Sequence, residues 1–314
     1  MTGRRPQRNW RLRGRRGQVS AVATLLGLLL VVTFIANYLT TQLPNQMQAN
    51  DLSHEITVQN QIGHFDALLQ AVSSAHAIGA EVTTPLSLGS DGEPPFAAPD
   101  TSYLSAPQNG TWAYLNYTTT GTGGNTVVTT PVGLGQGLVA HLVNTYAPGA
   151  EVALVQGAVV YAELAANPIF SDPPAITAVA SSSAVTALHI WIPEFVGSIP
   201  GTSGAMTANL VARLLSTNVV VVSSDTHLTI AAGTSLTLTL TSQYAFAWYQ
   251  YFLSQQWPGV TTTCAGFPGT TSTVTACSST YQAIGTLGKV TVTIPGGSLA
   301  LLSVTVAVFS IGVQ

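Results

Sequence analysis

The spacing of hydrophobic positions changes twice along this chain. Residues 18–43 carry no charge, and apolar side chains fill most positions without alternation. As a helix this run would span about 39 Å, more than the ~30 Å hydrocarbon core of a bilayer. Ser20, Thr24, Thr33, Asn37 and Thr40 are polar but uncharged, and Tyr38 stands where an interfacial aromatic is expected. Pro44 marks a kink or break. From Asp51 to Ile78 the pattern becomes amphipathic. Val58, Ile62, Phe65, Leu69, Val72 and His76 recur at spacings of 4, 3, 4, 3 and 4, one stripe of a helix. Asp51 or Ser53 is the expected N-cap and Gly79 the expected C-cap.

Past Gly79 the period becomes 2. Strands are expected at 189–193, 219–224, 227–231, 235–242, 289–295 and 301–311, which are rich in β-branched residues and bounded by Gly, Pro and Ser. Ala232-Gly233-Thr234 reads as a hairpin turn between the third and fourth. One helix interrupts the series over 242–257, where Tyr244, Trp248, Tyr251 and Phe252 share a face fit to pack on a sheet. The fold class is α+β: a long N-terminal transmembrane and amphipathic helix, then a predominantly antiparallel, sandwich-like β domain. The expected divisions are a leader (1–17), a membrane or assembly helix (18–43), an amphipathic helix (44–79) and a β-rich domain (80–314).

Charge gives this plan a direction. Charged residues are only 7% of the chain, and seven of the nine basic ones are Arg4, Arg5, Arg8, Arg11, Arg13, Arg15 and Arg16. A chain beginning at Gln18 would keep Arg213 and Lys289 against twelve acidic residues, net −10. A basic head directly abutting an apolar run places residues 1–17 in the cytoplasm and the rest outside the cell. A body so poor in basic residues excludes nucleic acid as a partner.

An exported location changes the reading of two further features. Cys264 and Cys277, with twelve residues between them, read as one local disulfide, with two free buried thiols as the competing reading. Asn109-Gly-Thr111 and Asn116-Tyr-Thr118 are N-glycosylation sequons.

Candidate chemistry is sparse. No two of the six histidines have zincin spacing, and His64 and Asp66, two apart, do not share a helix face. The chain has no Gly-x-Ser-x-Gly elbow, phosphate-binding loop or dinucleotide fingerprint, so no cofactor is expected. Ser203, in a Gly-rich stretch, lacks the strand and spacing of a nucleophile. Glu81 with Asp91, or Glu151 with Glu163, would serve as an acid–base pair only if the fold brought them together. The expected role is non-enzymatic: a structural or adhesive cell-surface protein. Trp112, Trp191 and Trp257 as stacking platforms for polysaccharide would make it a tethered binding module instead, and a cleft with paired carboxylates a tethered hydrolase.

The stretch "RRGQVSAVATLLGLLLVV" resembles the class III signal of archaeal type IV pilins and pilin-like surface proteins. The resemblance implies that a membrane leader peptidase cuts between Gly17 and Gln18, before the apolar helix. Val22 stands where many such proteins have Glu at the fifth mature position. "HEITVQNQIGHFDALLQAV", "TTPLSLGSDGEPPFAAPDTSYLS", "VQGAVVYAEL" and "TSQYAFAWYQYF" are similar to successive blocks of such a surface-protein family. That likeness implies a pilin-like architecture of one N-terminal helix and an extracellular β-rich domain. The implied partners are the membrane, the leader peptidase and copies of the chain or related subunits, met through helix 18–43. The small residues Ser20, Ala21, Ala23, Thr24 and Gly27 would permit close helix packing, and equally suit a lipid-facing monomeric anchor.

Overall fold

The computed structural model describes residues 11–90, 100–121, 124–144, 146–163, 167–197, 199–204, 207–223, 229–230, 235–266, 288–295 and 299–314. For residues 11–20, 107–121, 124–136, 200–202, 220–223, 229–230 and 265–266 only the backbone is described.

A single helical rod opens the chain. It consists of α1 (Arg11–Asn37), a π-helical turn (Tyr38–Gln42) and α2 (Leu43–Ser74). Pro44 does not break it. The proline sits in the first turn of α2, and the widened turn before it lets the Leu43 N–H bond to the Tyr38 carbonyl. The rod therefore needs no N-cap at Asp51 or Ser53, contrary to expectation. At its other end the helix stops at Ser74, before His76. His76 is exposed and adopts the left-handed conformation (φ 52°), so it lies off the apolar stripe. Gly79 (φ 86°) belongs to the following turn rather than to the cap.

The stripe itself is confirmed. Val58, Ile62, Phe65 and Leu69 are fully buried, and Val72 packs at their edge. They meet a body in which the described residues form fifteen strands in two mostly antiparallel sheets. The first sheet has the order β1 (Glu81–Ser87), β10 (Thr207–Ser223), β15 (Leu301–Val313), β8 (Val185–Val196), β7 (Ile176–Ala180). Its one parallel pair is β15 with β8, in register from Leu301↔Ala187 to Ser310↔Val196.

The second sheet runs β13 (Thr261–Gly266), β14 (Gly288–Pro295), β12 (Ser235–Ser242), β2 (Ser102–Gly121), β3 (Gly124–Leu142), β4 (Ala150–Val155), β5 (Ala158–Glu163), β6 (Ile169–Asp172). The free edge of β2 seats three strands in tandem: β9 (Ile199–Gly204), β12 and β11 (Thr229–Ile230). This corrects the expected hairpin at 232–234, residues that themselves lie outside the described set. β11 and β12 do not pair with each other, because β2 is long enough to take both along one edge.

One core joins α2 to both sheets through Leu86, Leu104, Leu138, Leu154, Phe195 and Phe309. A second lies around Leu188, Leu238, Val292 and Leu302 and is closed by α3 (Ala245–Ser254). β12 and β14 bury every second residue, as their alternation requires. On α3, Trp248 and Phe252 are buried in the second core with Tyr251 packed beside them. The Tyr251 hydroxyl donates to the Ile176 carbonyl at 3.2 Å, and burial pushes its pKa up to about 12.

Candidate functional site

Two surfaces distinguish this chain from an ordinary β-rich body: a bare apolar helix, and the polar joint that fixes it to the sheets. The helix comes first. Every residue from Ala21 to Asn37 is exposed, with Leu30 at 70% and Phe34 at 72% relative accessibility. The rod is long and apolar enough to cross a membrane, with a window of mean hydropathy 2.2. Its threonines turn inward on their own backbone. Thr33 Oγ1 donates to the Leu29 carbonyl at 2.7 Å, Thr40 Oγ1 to Ala36 at 2.8 Å and Thr41 Oγ1 to Asn37 at 2.6 Å. Hydroxyls so placed need no water, which suits a hydrocarbon surrounding.

The joint lies on α2. The buried stripe extends back from Val58 through Glu55, Asp51 and Met47 to Leu43, so it carries polar residues at core positions. Asp51 is fully buried. Its Oδ2 accepts the backbone N–H groups of Tyr146 and Ala147, both at 3.1 Å, and its Oδ1 accepts the Ser90 hydroxyl at 3.1 Å. Glu55 lies one turn on. The Asn144 amide donates to Oε1 at 2.5 Å and the Tyr161 hydroxyl to Oε2 at 2.7 Å. Burial raises the Glu55 pKa, the two donors pull it down, and the charges of Glu163 and Asp51 raise it again. The Tyr161 pKa is raised by burial first and by Glu55 next.

The same helix covers an edge of the first sheet. β1 is an edge strand, and its last residue, Ser87, offers an N–H and a carbonyl towards α2. Gln61 Oε1 accepts that N–H at 2.8 Å, and His54 Nε2–H donates to that carbonyl at 3.1 Å. Further along, Trp191 Nε1–H donates to Ser73 Oγ at 3.0 Å. Gly157, with φ 70°, leaves room for the Trp191 ring, since a Cβ there would lie 2.9 Å from Cε3. Helix direction is thus set by directional bonds as well as apolar contact.

A smaller polar group lies on β3 and β4. His141 Nδ1 and Glu151 Oε1 are 2.9 Å apart, Tyr103 stacks on the imidazole at 4.3 Å, and the Tyr244 hydroxyl reaches Glu151 Oε2 at 3.4 Å. Cross-strand register places Ser203, Tyr103, His141 and Glu151 in one row. Ser203 is two strands from His141, roughly 10 Å at ordinary strand spacing, too far for a nucleophile–base pair.

The other candidate pairs are not assembled. Glu151 pairs with Ala162 and Glu163 with Ala150, so the two carboxylates point to opposite faces. Glu81 is exposed on β1, and Asp91 lies outside the described residues. His64 is exposed while Asp66 is buried, as their two-residue spacing requires. Trp191 and Trp257 pack into different cores, so they form no common platform; nothing is described of the Trp112 side chain. Among the described residues no cluster of three His, Cys, Asp or Glu could hold a metal ion.

Gly17 and Gln18 lie within helical backbone of α1, and Asn109 and Asn116 lie on β2, where only the backbone is described. Cys264, on β13, is half-buried against the second core. Cys277 lies outside the described residues. No protein-family model, curated protein or solved structure matches the chain significantly.

Proposed function

We propose that this chain is a membrane-anchored cell-surface protein of the archaeal pilin-like kind, with a structural or adhesive role. Its N-terminus faces the cytoplasm and its β-rich domain the outside, either on the membrane or in a filament built through helix 18–43. The observation that carries this reading is the uncovered apolar segment Ala21–Asn37, continuous with a helix bonded firmly into the body. A surface apolar over that length is costly in water and stable in lipid or against copies of itself. Leader cleavage between Gly17 and Gln18, glycans on Asn109 and Asn116 and a Cys264–Cys277 bridge belong to the same proposal. A tethered polysaccharide-binding module is the weaker alternative, because Trp191 and Trp257 are engaged in separate cores.

The test is mass spectrometry of the intact protein from native membranes. A chain beginning at Gln18 supports leader processing and the pilin-like reading. A chain retaining Arg4 to Arg16 supports a plain anchor and removes the filament. A chain starting beyond Leu43, recovered in the soluble fraction, overturns the proposal. Alkylation without reductant reads the disulfide, and deglycosylation reads the sequons.

A further inference from the structure

Helix α2 holds a third buried carboxylate, which the joint does not use. Asp66 is 1% exposed, and only one of its oxygens is satisfied: Gln70 Nε2–H donates to Oδ2 at 2.6 Å. Oδ1 is buried without a partner. On the sheet packed against this part of α2, Asp172 is the last residue of the edge strand β6. The Asp172 carboxylate reaches over Gly63, one turn back on α2, where a Cβ would sit 3.7 Å from Oδ2.

Asp172 thus lies over Gly63, three residues before Asp66 and on the same side of α2, where the helix packs on a sheet edge. The elements packed on α2 carry Glu81 (β1), Glu151 (β4), Tyr161 and Glu163 (β5), Asp172 (β6) and Arg213 (β10), and α2 itself carries Asp51, His54, Glu55 and His64. Of these only Asp172 bears on Asp66. The basic residues lie elsewhere: Arg213 packs beside Gly79, and Lys289 is on β14. A buried carboxylate with a bare oxygen, a like charge on the neighbouring strand and no cation beside it has one inexpensive state, the protonated one.

We infer that buried Asp66, with Asp172 of β6 on the same side of α2, is an acid-closed latch: a proton held on Asp66 seats α2 on β6, and its loss releases the helix from that sheet edge. Protonation at Oδ1 removes charge from the oxygen that has no donor. Burial, with Asp172 adding to it, lifts the Asp66 pKa from 3.8 to about 7, and burial also raises Asp172. When the latch opens, Asp66 regains an ordinary carboxyl pKa. Below about pH 4 both states are protonated and the latch is fully closed. Between about pH 4 and 7 only the open state ionises, so opening grows about tenfold per pH unit. Above about pH 7 both states are ionised and the effect levels off. This latch does not depend on the proposed cellular role.

The test uses the full chain in detergent micelles. Carboxyl-carbon NMR follows Asp66, and amide exchange in β6 is compared between wild type and Asp66→Asn at each pH, which cancels the intrinsic pH dependence of exchange. We expect Asp66 to titrate near 7, and the wild-type-to-variant exchange ratio to climb about tenfold per unit from pH 4 to 7. Asp172→Asn should move the Asp66 midpoint down. Titration of Asp66 near 4, or a ratio that does not change with pH, overturns the latch. Should Asp66→Asn not fold, an unmoved midpoint in Asp172→Asn overturns it equally.

Discussion

Asp51 and Ala147 are 96 residues apart in sequence, yet the carboxylate of one accepts the backbone N–H of the other at 3.1 Å. Tyr146 donates to the same oxygen. The carboxylate thus does for this loop what an N-cap does for a helix: it satisfies amides that have no partner in a ladder. Asp51→Ala should leave two amides and the Ser90 hydroxyl unpaired in a dry place. The expected loss is about 3 kcal/mol, from the cost of stranding buried donors. Denaturant unfolding of the solubilised full chain measures it, and a loss below ~1 kcal/mol would show that water replaces the carboxylate.

Tyr161 and Glu55 make a second bond between sheet and rod. Tyr161→Phe removes a donor that holds the Glu55 pKa down, so that pKa should rise further. A folded pKa above the unfolded one gives stability that is present in acid and lost as pH rises through the folded value. The variant should therefore lose more stability than wild type on going from acid to neutral pH, and match it more closely in acid. Unfolding curves at several pH values give the comparison, and a constant difference across them would refute the coupling.

The apolar face of the rod was legible because Val58, Ile62, Phe65 and Leu69 announce a helical period. The joint was less so. Leu43, Met47, Asp51, Glu55 and Val58 continue the stripe at spacings of 4, 4, 4 and 3, but a carboxylate at a core position reads as a cap or a surface residue. Its partners come from residues 144–147, a segment no local pattern links to α2. The strands from β12 onward that alternate cleanly were readable, whereas β4 is buried at every position and shows no period. The long β2 and β3 were also missed, and with them the tandem seating that replaces the expected hairpin. Pairing across β2 depends on which strand is long enough to host others, a property of the assembled sheet.

Gly157 is expected to tolerate no side chain. Its φ of 70° already disfavours a Cβ, and the Trp191 ring fills the space that Cβ would take. Gly157→Ala should cost about 2–3 kcal/mol, from positive φ and overpacking together. The Trp191 ring should also shift enough to lengthen its bond to Ser73, which the indole N–H resonance reports. An unchanged resonance with unchanged stability would mean that the ring yields freely.

The apolar segment makes the last prediction. Leu29 is exposed near the middle of the bare run, and the only polar groups around it are hydroxyls folded onto their own backbone. Leu29→Arg puts a guanidinium at membrane depth, at a cost of about 3 kcal/mol for insertion. Leu52→Arg makes the same change on an exposed α2 position beyond the apolar run, where water can reach it. Carbonate extraction of cell membranes should release the first variant and retain the second. The contrast separates a membrane role from general harm to the fold, since both substitutions add the same charge to the same rod. Equal retention of both would mean that the segment does not lie in lipid, and the anchor would then have to be sought elsewhere in the chain.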